Sequence, residues 1–226
     1  MRLLHVVCIA TLLLAPAGAW ASQAPACLPF CDDFTADIAS GSPALWSAQN
    51  GTSWSVSSAG QLLCNSPTSS ATSPATTAVT ALTAADFTVN YDLTDGDGGF
   101  LFRQQPDGSA YYLIIRGGDA YWHDHNNRAG YWNWDGVGDY QGISLGNNRH
   151  VTFTAHGFDF TAIISDGTNS YTAHYTDAGQ HYASGGIGFY SNSTTLAFDN
   201  VAITPEPASL AFLALATPLL LRRRAQ

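Results

Sequence analysis

The sequence predicts an all-β domain, an antiparallel sandwich or barrel, carried between two apolar end segments. Three observations predict it. From Cys27 to Thr204 no apolar run follows the helical period, so no helix would have a continuous stripe to bury. Short alternating segments recur instead, punctuated by Gly, Asp, Asn and Ser, the residues that turn a chain between strands. No repeat and no second composition regime interrupts the middle of the 226-residue chain, so one domain suffices.

The first element is the N-terminus. Met1-Arg2 precedes a run from Leu3 to Leu14 broken only by His5 and Thr11, and Ala19-Trp20-Ala21 follows. A basic start, a short apolar core and small residues predict a secretory signal peptide over residues 1–21, removed by signal peptidase. Cys8 leaves with it. Cys27, Cys31 and Cys64 remain in an oxidising compartment, which predicts one disulfide. A Cys31–Cys64 bond closes the longer loop and Cys27–Cys31 only a small ring, and spacing does not choose between them.

The domain then occupies residues 22–204. Residues 65–80, crowded with Ser and Thr and broken by Pro67 and Pro74, read as an irregular connection over the surface. Phe87, Val89, Tyr91 and Leu93 share one face of a strand, and Asp95-Gly96-Asp97-Gly98-Gly99 reads as a hairpin turn into Phe100-Leu101-Phe102-Arg103. Tyr111 to Arg116, a Gly117-Gly118 turn and Asp119 to His125 follow. Next come Val151, Phe153 and Ala155, a turn at Gly157, then Phe160, Ala162 and Ile164, and a turn at Asp166-Gly167. The last strands are Gly186 to Ser191 and Leu196 to Ile203. Strict alternation puts Phe198 and Asn200 opposite Asp199 and Val201.

The C-terminal element runs Thr204-Pro205-Glu206-Pro207, then Ala208 to Leu221 with Ser209, Thr217 and Pro218 interrupting, then Arg222-Arg223-Arg224. The apolar run falls short of the roughly 20 residues that span a bilayer. The arginines would stay cytoplasmic and leave the domain outside. Pro205, Glu206 and Pro207, an apolar helix and a terminal Arg cluster together resemble the PEP-CTERM sorting signal of Gram-negative bacteria, over residues 205–226. The resemblance implies a membrane-embedded exosortase as processing partner and a cell-surface or extracellular-matrix location. A plain hydrophobic transmembrane anchor predicts the same side without processing.

A second resemblance runs through residues 28–203. Phe30-Cys31-Asp32-Asp33-Phe34, Trp46, Gly99 to Arg103 followed by Tyr111-Tyr112-Leu113, Gly185 to Phe189, and Phe198-Asp199-Asn200-Val201 resemble a concanavalin A-like lectin/glucanase (laminin G-like) jelly roll. The resemblance implies an antiparallel two-sheet jelly-roll sandwich whose first and last strands are neighbours. It also implies a structural calcium beside them, with Asp33 and Asp199 as ligands.

Between residues 22 and 204 stand four Arg, no Lys and sixteen Asp, a net charge of −12. Such a surface repels phosphate backbones, so nucleic acid is excluded as a partner. The Asp excess suits divalent cations, and a solvated acidic surface accounts for it equally.

Glycoside-cleaving relatives of this fold use paired carboxylates, commonly Glu residues on one strand. This domain contains no Glu, and Glu206 is the only one in the chain. The Asp pairs closest in sequence, 32 with 33 and 95 with 97, fall at a strand start and in a turn, so no catalytic residue is assigned. Asp95-Gly96-Asp97 opens like an EF-hand loop, but Phe100 and Pro106 occupy the positions of its glycine and terminal glutamate. His123-Asp124-His125 sets two imidazoles on one strand face, either as two metal ligands lacking an evident third or as an ordinary strand-edge pair. Gly142-Ile143-Ser144-Leu145-Gly146 spells a nucleophile elbow, but a strand rather than a helix follows, so it reads as a surface turn.

Aromatic density carries more. Tyr121-Trp122 and Tyr131-Trp132-Asn133-Trp134-Asp135 put three of the domain's five Trp within 13 residues, interleaved with Asn, Asp and His. Sugar rings present apolar faces and polar edges, which such a wall matches, and Tyr111 and Arg103 would complete it. The alternatives are core packing for the aromatics and an ion pair for Arg103. The sequence therefore predicts an exported, non-catalytic module that binds polysaccharide, with exopolysaccharide as the expected ligand. A glycan hydrolase using Asp, or a matrix protein without a small ligand, are the competing readings.

Overall fold

The computed structural model describes residues 29–94 and 96–206. The predicted signal peptide, Cys27, Asp95, Pro207 and the apolar tail lie outside the described residues. In chain order the strands are β1 (Phe30–Asp32), β2 (Trp46–Ala48), β3 (Trp54–Val56), β4 (Leu62–Cys64), β5 (Thr76–Ala84), β6 (Phe87–Leu93), β7 (Gly98–Gln104), β8 (Ala110–Arg116), β9 (Asp119–Asn126), β10 (Asn133–Gly142), β11 (Arg149–His156), β12 (Asp159–Ser165), β13 (Ser170–Thr176), β14 (Gly185–Ser191) and β15 (Ala197–Pro205).

They form two antiparallel sheets packed as a sandwich. The eight-stranded sheet has the order β13-β12-β11-β6-β15-β4-β3, with β1 also paired to β15. The seven-stranded sheet has the order β10-β9-β8-β7-β14-β5-β2. First and last strands are neighbours, Phe30 opposite Ile203 and Asp32 opposite Val201.

The inner faces interdigitate through aromatic rings. On one side stand Phe87, Tyr91, Phe153, Phe160 and Phe198, and on the other Phe100, Phe102, Tyr111, Trp122 and Phe189, all essentially inaccessible to water. Phe102 meets Phe153 at 4.6 Å and Phe160 at 4.9 Å between ring centroids, while Phe189 stacks on Phe198 at 4.1 Å. Each ring so buried stabilises the fold by about 1.5–3 kcal/mol.

The sequence pattern predicted β6, the β8–β9 pair and the β11–β12 pair, and these form with the expected turns, while β13, which no pattern announced, adds a third strand to the meander. Three expectations fail for identifiable reasons. β6 and β7 are not a hairpin, because β6 belongs to the larger sheet and β7 to the smaller. Glycines permit that crossing. A Cβ on Gly99 would stand 1.9 Å from the Leu113 carbonyl oxygen, and one on Gly98 2.4 Å from that of Tyr190. Alternation breaks in β15, where the register shifts between Asp199 and Ala202 and Asn200 has a positive φ of 53°. Phe198 and Val201 consequently both face inward, and Asp199 and Asn200 do not. The irregular connection ends at Thr76, where β5 begins.

Cys64 is a buried thiol within the core and Cys31 lies exposed on β1, so no Cys31–Cys64 bond forms. Pro205 closes β15 opposite Phe87, and the Glu206 carboxylate accepts a 2.7 Å hydrogen bond from the Thr88 hydroxyl.

Candidate functional site

Neighbouring residues of one strand point to opposite sides of a sheet, and this divides the predicted aromatic wall. On β8, Tyr111, Leu113 and Ile115 face the core, while Ala110, Tyr112 and Ile114 face the other way. On β9, Trp122 and Asp124 point inward and Tyr121, His123 and His125 outward. The outward set of the seven-stranded sheet forms a second apolar cluster of Leu101, Ala110, Tyr112, Ile114 and Tyr190, with Tyr121 and Trp134 packed against it.

Three of the predicted ligand-binding residues are thereby corrected to core residues. Trp122 is 1 % exposed and packs on Phe102, Phe153 and Tyr175. Tyr111 is 0 % exposed and its hydroxyl donates to Asp177. Arg103 is 1 % exposed and donates to the carbonyls of Tyr182 and Ala85, both at 2.9 Å, and of Gly157 at 2.5 Å, with Asp86 at 3.6 Å. Inward parity places Trp122 and Tyr111 in the sandwich, whereas Arg103 follows the inward Phe102 and is turned inward by a bulge, where the register shifts between Gly186 and Ile187 and its φ is 51°, so that it ties three chain segments together.

Tyr121, Trp132 and Trp134 stay on the outer face, and Tyr131 is exposed beside them. Trp134 meets Tyr112 edge-on at 4.7 Å, Tyr190 at 5.6 Å and His123 at 5.4 Å. Trp134, Tyr190, His123 and Tyr121 wall a cleft of about 290 Å³ whose rim carries Asp97, Asn192, Arg116 and Ser69. Asn192 Nδ2 donates to Asp97 at 3.1 Å. Arg116 lies 4.9 Å over the Tyr121 ring and donates twice to Asp119, at 2.5 and 3.1 Å, so its charge is balanced locally.

A second cleft opens on the same face around Trp132 and His125. The segment 66–75 runs between them. Ser69 borders the first cleft, Thr72 and Pro74 border the second, and the Ala71 carbonyl accepts from His125 Nε2 at 2.6 Å. Sequence reasoning missed Tyr112, Tyr190, Asp97 and Asn192. The available signal was β8, apolar at consecutive positions, which means that both faces of its sheet are covered.

Burial holds the His123 and His125 imidazoles below the ordinary histidine pKa. The unfolded chain takes up protons that the folded chain refuses, so their contribution to stability is complete above about pH 6.5 and is lost as pH falls through the folded values. The urea midpoint should therefore fall between about pH 7.5 and about 5.5, and fall less in a His123→Gln/His125→Gln double variant. Equal declines in both proteins would place the acid sensitivity elsewhere.

The two residues predicted to bind calcium are occupied locally. Asp33 Oδ1 accepts from the Thr35 amide at 3.1 Å and hydroxyl at 2.7 Å, and Asp199 Oδ1 from the Asn200 amide at 2.7 Å. Burial, with the charges of Asp92, Asp33 and Asp32, raises the Asp199 pKa. Among the described residues no three His, Cys, Asp or Glu are placed to hold one metal ion by themselves, whereas calcium takes about six to eight oxygens. The same holds for His123 and His125, which share a face as expected and gain no third partner.

Another cleft, of about 460 Å³, lies on the outer face of the larger sheet, where Asp92 and Asp199 stand opposite each other across β6 and β15. His150 Nδ1 and Asn200 Nδ2 hold Asp92 at 2.7 and 2.8 Å.

No protein-family profile matches the chain, and no curated protein matches it. Solved structures do. A Bacteroides ovatus structure described as xyloglucan PUL GH43B aligns with 84 % of this chain at 16 % identity and a TM-score of 0.56. This chain spans only 41 % of that protein's length. A Bacillus subtilis protein of unknown function with a galectin-like fold aligns with 81 % of this chain and 97 % of its own, at 12 % identity and a TM-score of 0.52. The CBM2 module of an evolved Dit protein from Lactobacillus casei BL23 phage J-1 aligns with 77 % of this chain and 93 % of its own, at 11 % identity and a TM-score of 0.50. At such identities the likeness is one of fold. The chain is an antiparallel jelly-roll sandwich with galectin-like and glycoside-hydrolase-associated structural neighbours.

Proposed function

We propose that this is a non-catalytic carbohydrate-binding module acting through the outer face of its seven-stranded sheet. The observation that carries the reading is the cleft in which Trp134, Tyr121 and Tyr190 supply aromatic surface beside the hydrogen-bonding rim of Asp97 and Asn192. Aromatic rings receive the apolar face of a pyranose, and the rim receives its hydroxyls. Galectin-like and CBM2 structures among the fold's neighbours support the same reading.

The flanking sequences support an exported protein. In this reading signal peptidase removes residues 1–21, an exosortase acts near Pro205-Glu206-Pro207, and the module meets exopolysaccharide at the surface of a Gram-negative cell.

Pull-down on a panel of insoluble polysaccharides tests binding. Wild type should be retained by at least one polymer. Trp134→Ala and Tyr121→Ala should each weaken retention about tenfold or more, the scale of a lost stacking residue. Retention by no polymer, or unchanged retention of both variants, would sink the proposal. Release of reducing sugar in the same incubation, abolished by Asp199→Asn, would move the reading to hydrolysis at the Asp92–Asp199 cleft.

A further inference from the structure

The cleft around Trp132 has a lining of its own. It encloses about 230 Å³, far more than the roughly 30 Å³ of one water molecule. Trp132 stacks on the His125 ring at 4.7 Å and 11°. Gln49 and Gln104 exchange reciprocal amide hydrogen bonds of 2.8 and 2.9 Å on the opposite side. Among the described residues no Arg and no Lys borders the cleft, and Asp107 is the one charged side chain there.

Two buried polar atoms here lack partners. The Tyr112 hydroxyl belongs to a side chain 1 % exposed, on the cleft wall, and makes no hydrogen bond. His125 is 2 % exposed. A carbonyl can only accept, so the bond to Ala71 places the proton on Nε2 and leaves Nδ1 as an acceptor. Nδ1 makes no hydrogen bond of good geometry, with only the Gly108 backbone beside it. Leaving such atoms unpaired costs the folded protein free energy, which a ligand hydroxyl restores by pairing with them.

We propose that this cleft is a second sugar subsite, taking one uncharged, hydroxyl-bearing ring of a neutral glycan whose other residues occupy the Trp134 cleft. The assignment rests on the carbohydrate reading of this sheet face. Trp132 receives the face of the ring. A hydroxyl donates to His125 Nδ1, and Tyr112 Oη pairs with another. A uronate or sulfated ring is refused, because its charge would meet Asp107 with no cation to balance it.

Isothermal titration of the protein with neutral oligosaccharides, cello-, xylo- and galacto-oligomers, and with oligogalacturonate tests this. Tyr112→Phe removes one oxygen atom and nothing else. It should weaken the neutral ligand about tenfold while the melting temperature stays level or rises. Trp132→Ala should weaken the same ligand at least as much. Wild-type affinity in both variants, with Trp134→Ala still impaired, would overturn the subsite and leave the reading of the face intact. Preference for oligogalacturonate would overturn the neutral-ring assignment. Binding of no oligosaccharide by the wild type would overturn the carbohydrate reading itself.

Discussion

Truncating Trp122 to alanine should cost the domain about 3–5 kcal/mol of stability while leaving the glycan affinity of the folded protein unchanged. The indole is 1 % exposed and lies among Phe102, Phe153 and Tyr175 at centroid distances of 6.0–6.3 Å, rings held in place by the two sheets that carry them. A cavity of indole size therefore persists after truncation. The Nε1–H makes no hydrogen bond, so its removal returns a little and places the loss towards the lower end of the range. Urea denaturation measures the first effect and titration with a bound oligosaccharide the second. Loss of affinity in Trp122→Ala at unchanged stability would return this residue to the binding surface. Trp134→Ala is its mirror image, weak binding with most of the stability retained.

Arg103→Met should be as damaging, by about 3–5 kcal/mol, through a different cause. Methionine restores the stem of the side chain but not the guanidinium. The carbonyls of Tyr182, Ala85 and Gly157 then lose a charged donor inside the protein, and Asp86 loses its cation. The planar group also packs over the Phe160 ring, 4.9 Å from its centroid. Arg103→Lys should recover part of the loss, since one ammonium cannot reach three divergent acceptors. Unfolding curves of the three proteins in urea decide the matter. A decrease under about 1 kcal/mol for methionine would show that water satisfies the abandoned carbonyls.

These two residues also mark how far the sequence can be read. Alternation in Phe87–Leu93 and Val151–Ala155 announces half-buried strands, and both form as expected. β5 is hidden because Thr76–Ala84 is mostly Thr and Ala, with Val79 and Leu82 three positions apart and so out of strand alternation. The Asp-Gly-rich turn after β6 has hairpin chemistry, yet it carries the chain across the sandwich, since turn residues specify a reversal and not the sheet that receives it. Aromatic density in 121–134 points to the strands β9 and β10 whose outward side chains wall the Trp134 cleft. Parity then separates Tyr121 from Trp122, but which parity faces outward stays hidden when both faces of the sheet are covered by apolar groups. Tyr112 and Tyr190 join Trp134 only through the lateral order β10-β9-β8-β7-β14, in which residues nearly 80 positions apart become neighbours. No local pattern encodes that.

The pairing of β1 with β15 has a mechanical consequence. With Phe30 opposite Ile203, both flanking segments leave the sandwich from the same end, side by side. Tension between them therefore acts crosswise on the β1–β15 ladder and opens its three residue pairs one after another, as a zipper opens, instead of shearing them together. Tension on the C-terminal flank alone meets a different resistance, because β15 is bonded along its length to β6 and also to β4. A module held at a surface by its C-terminal side would thus carry the load through β15 into the sheet and leave the short first strand unloaded.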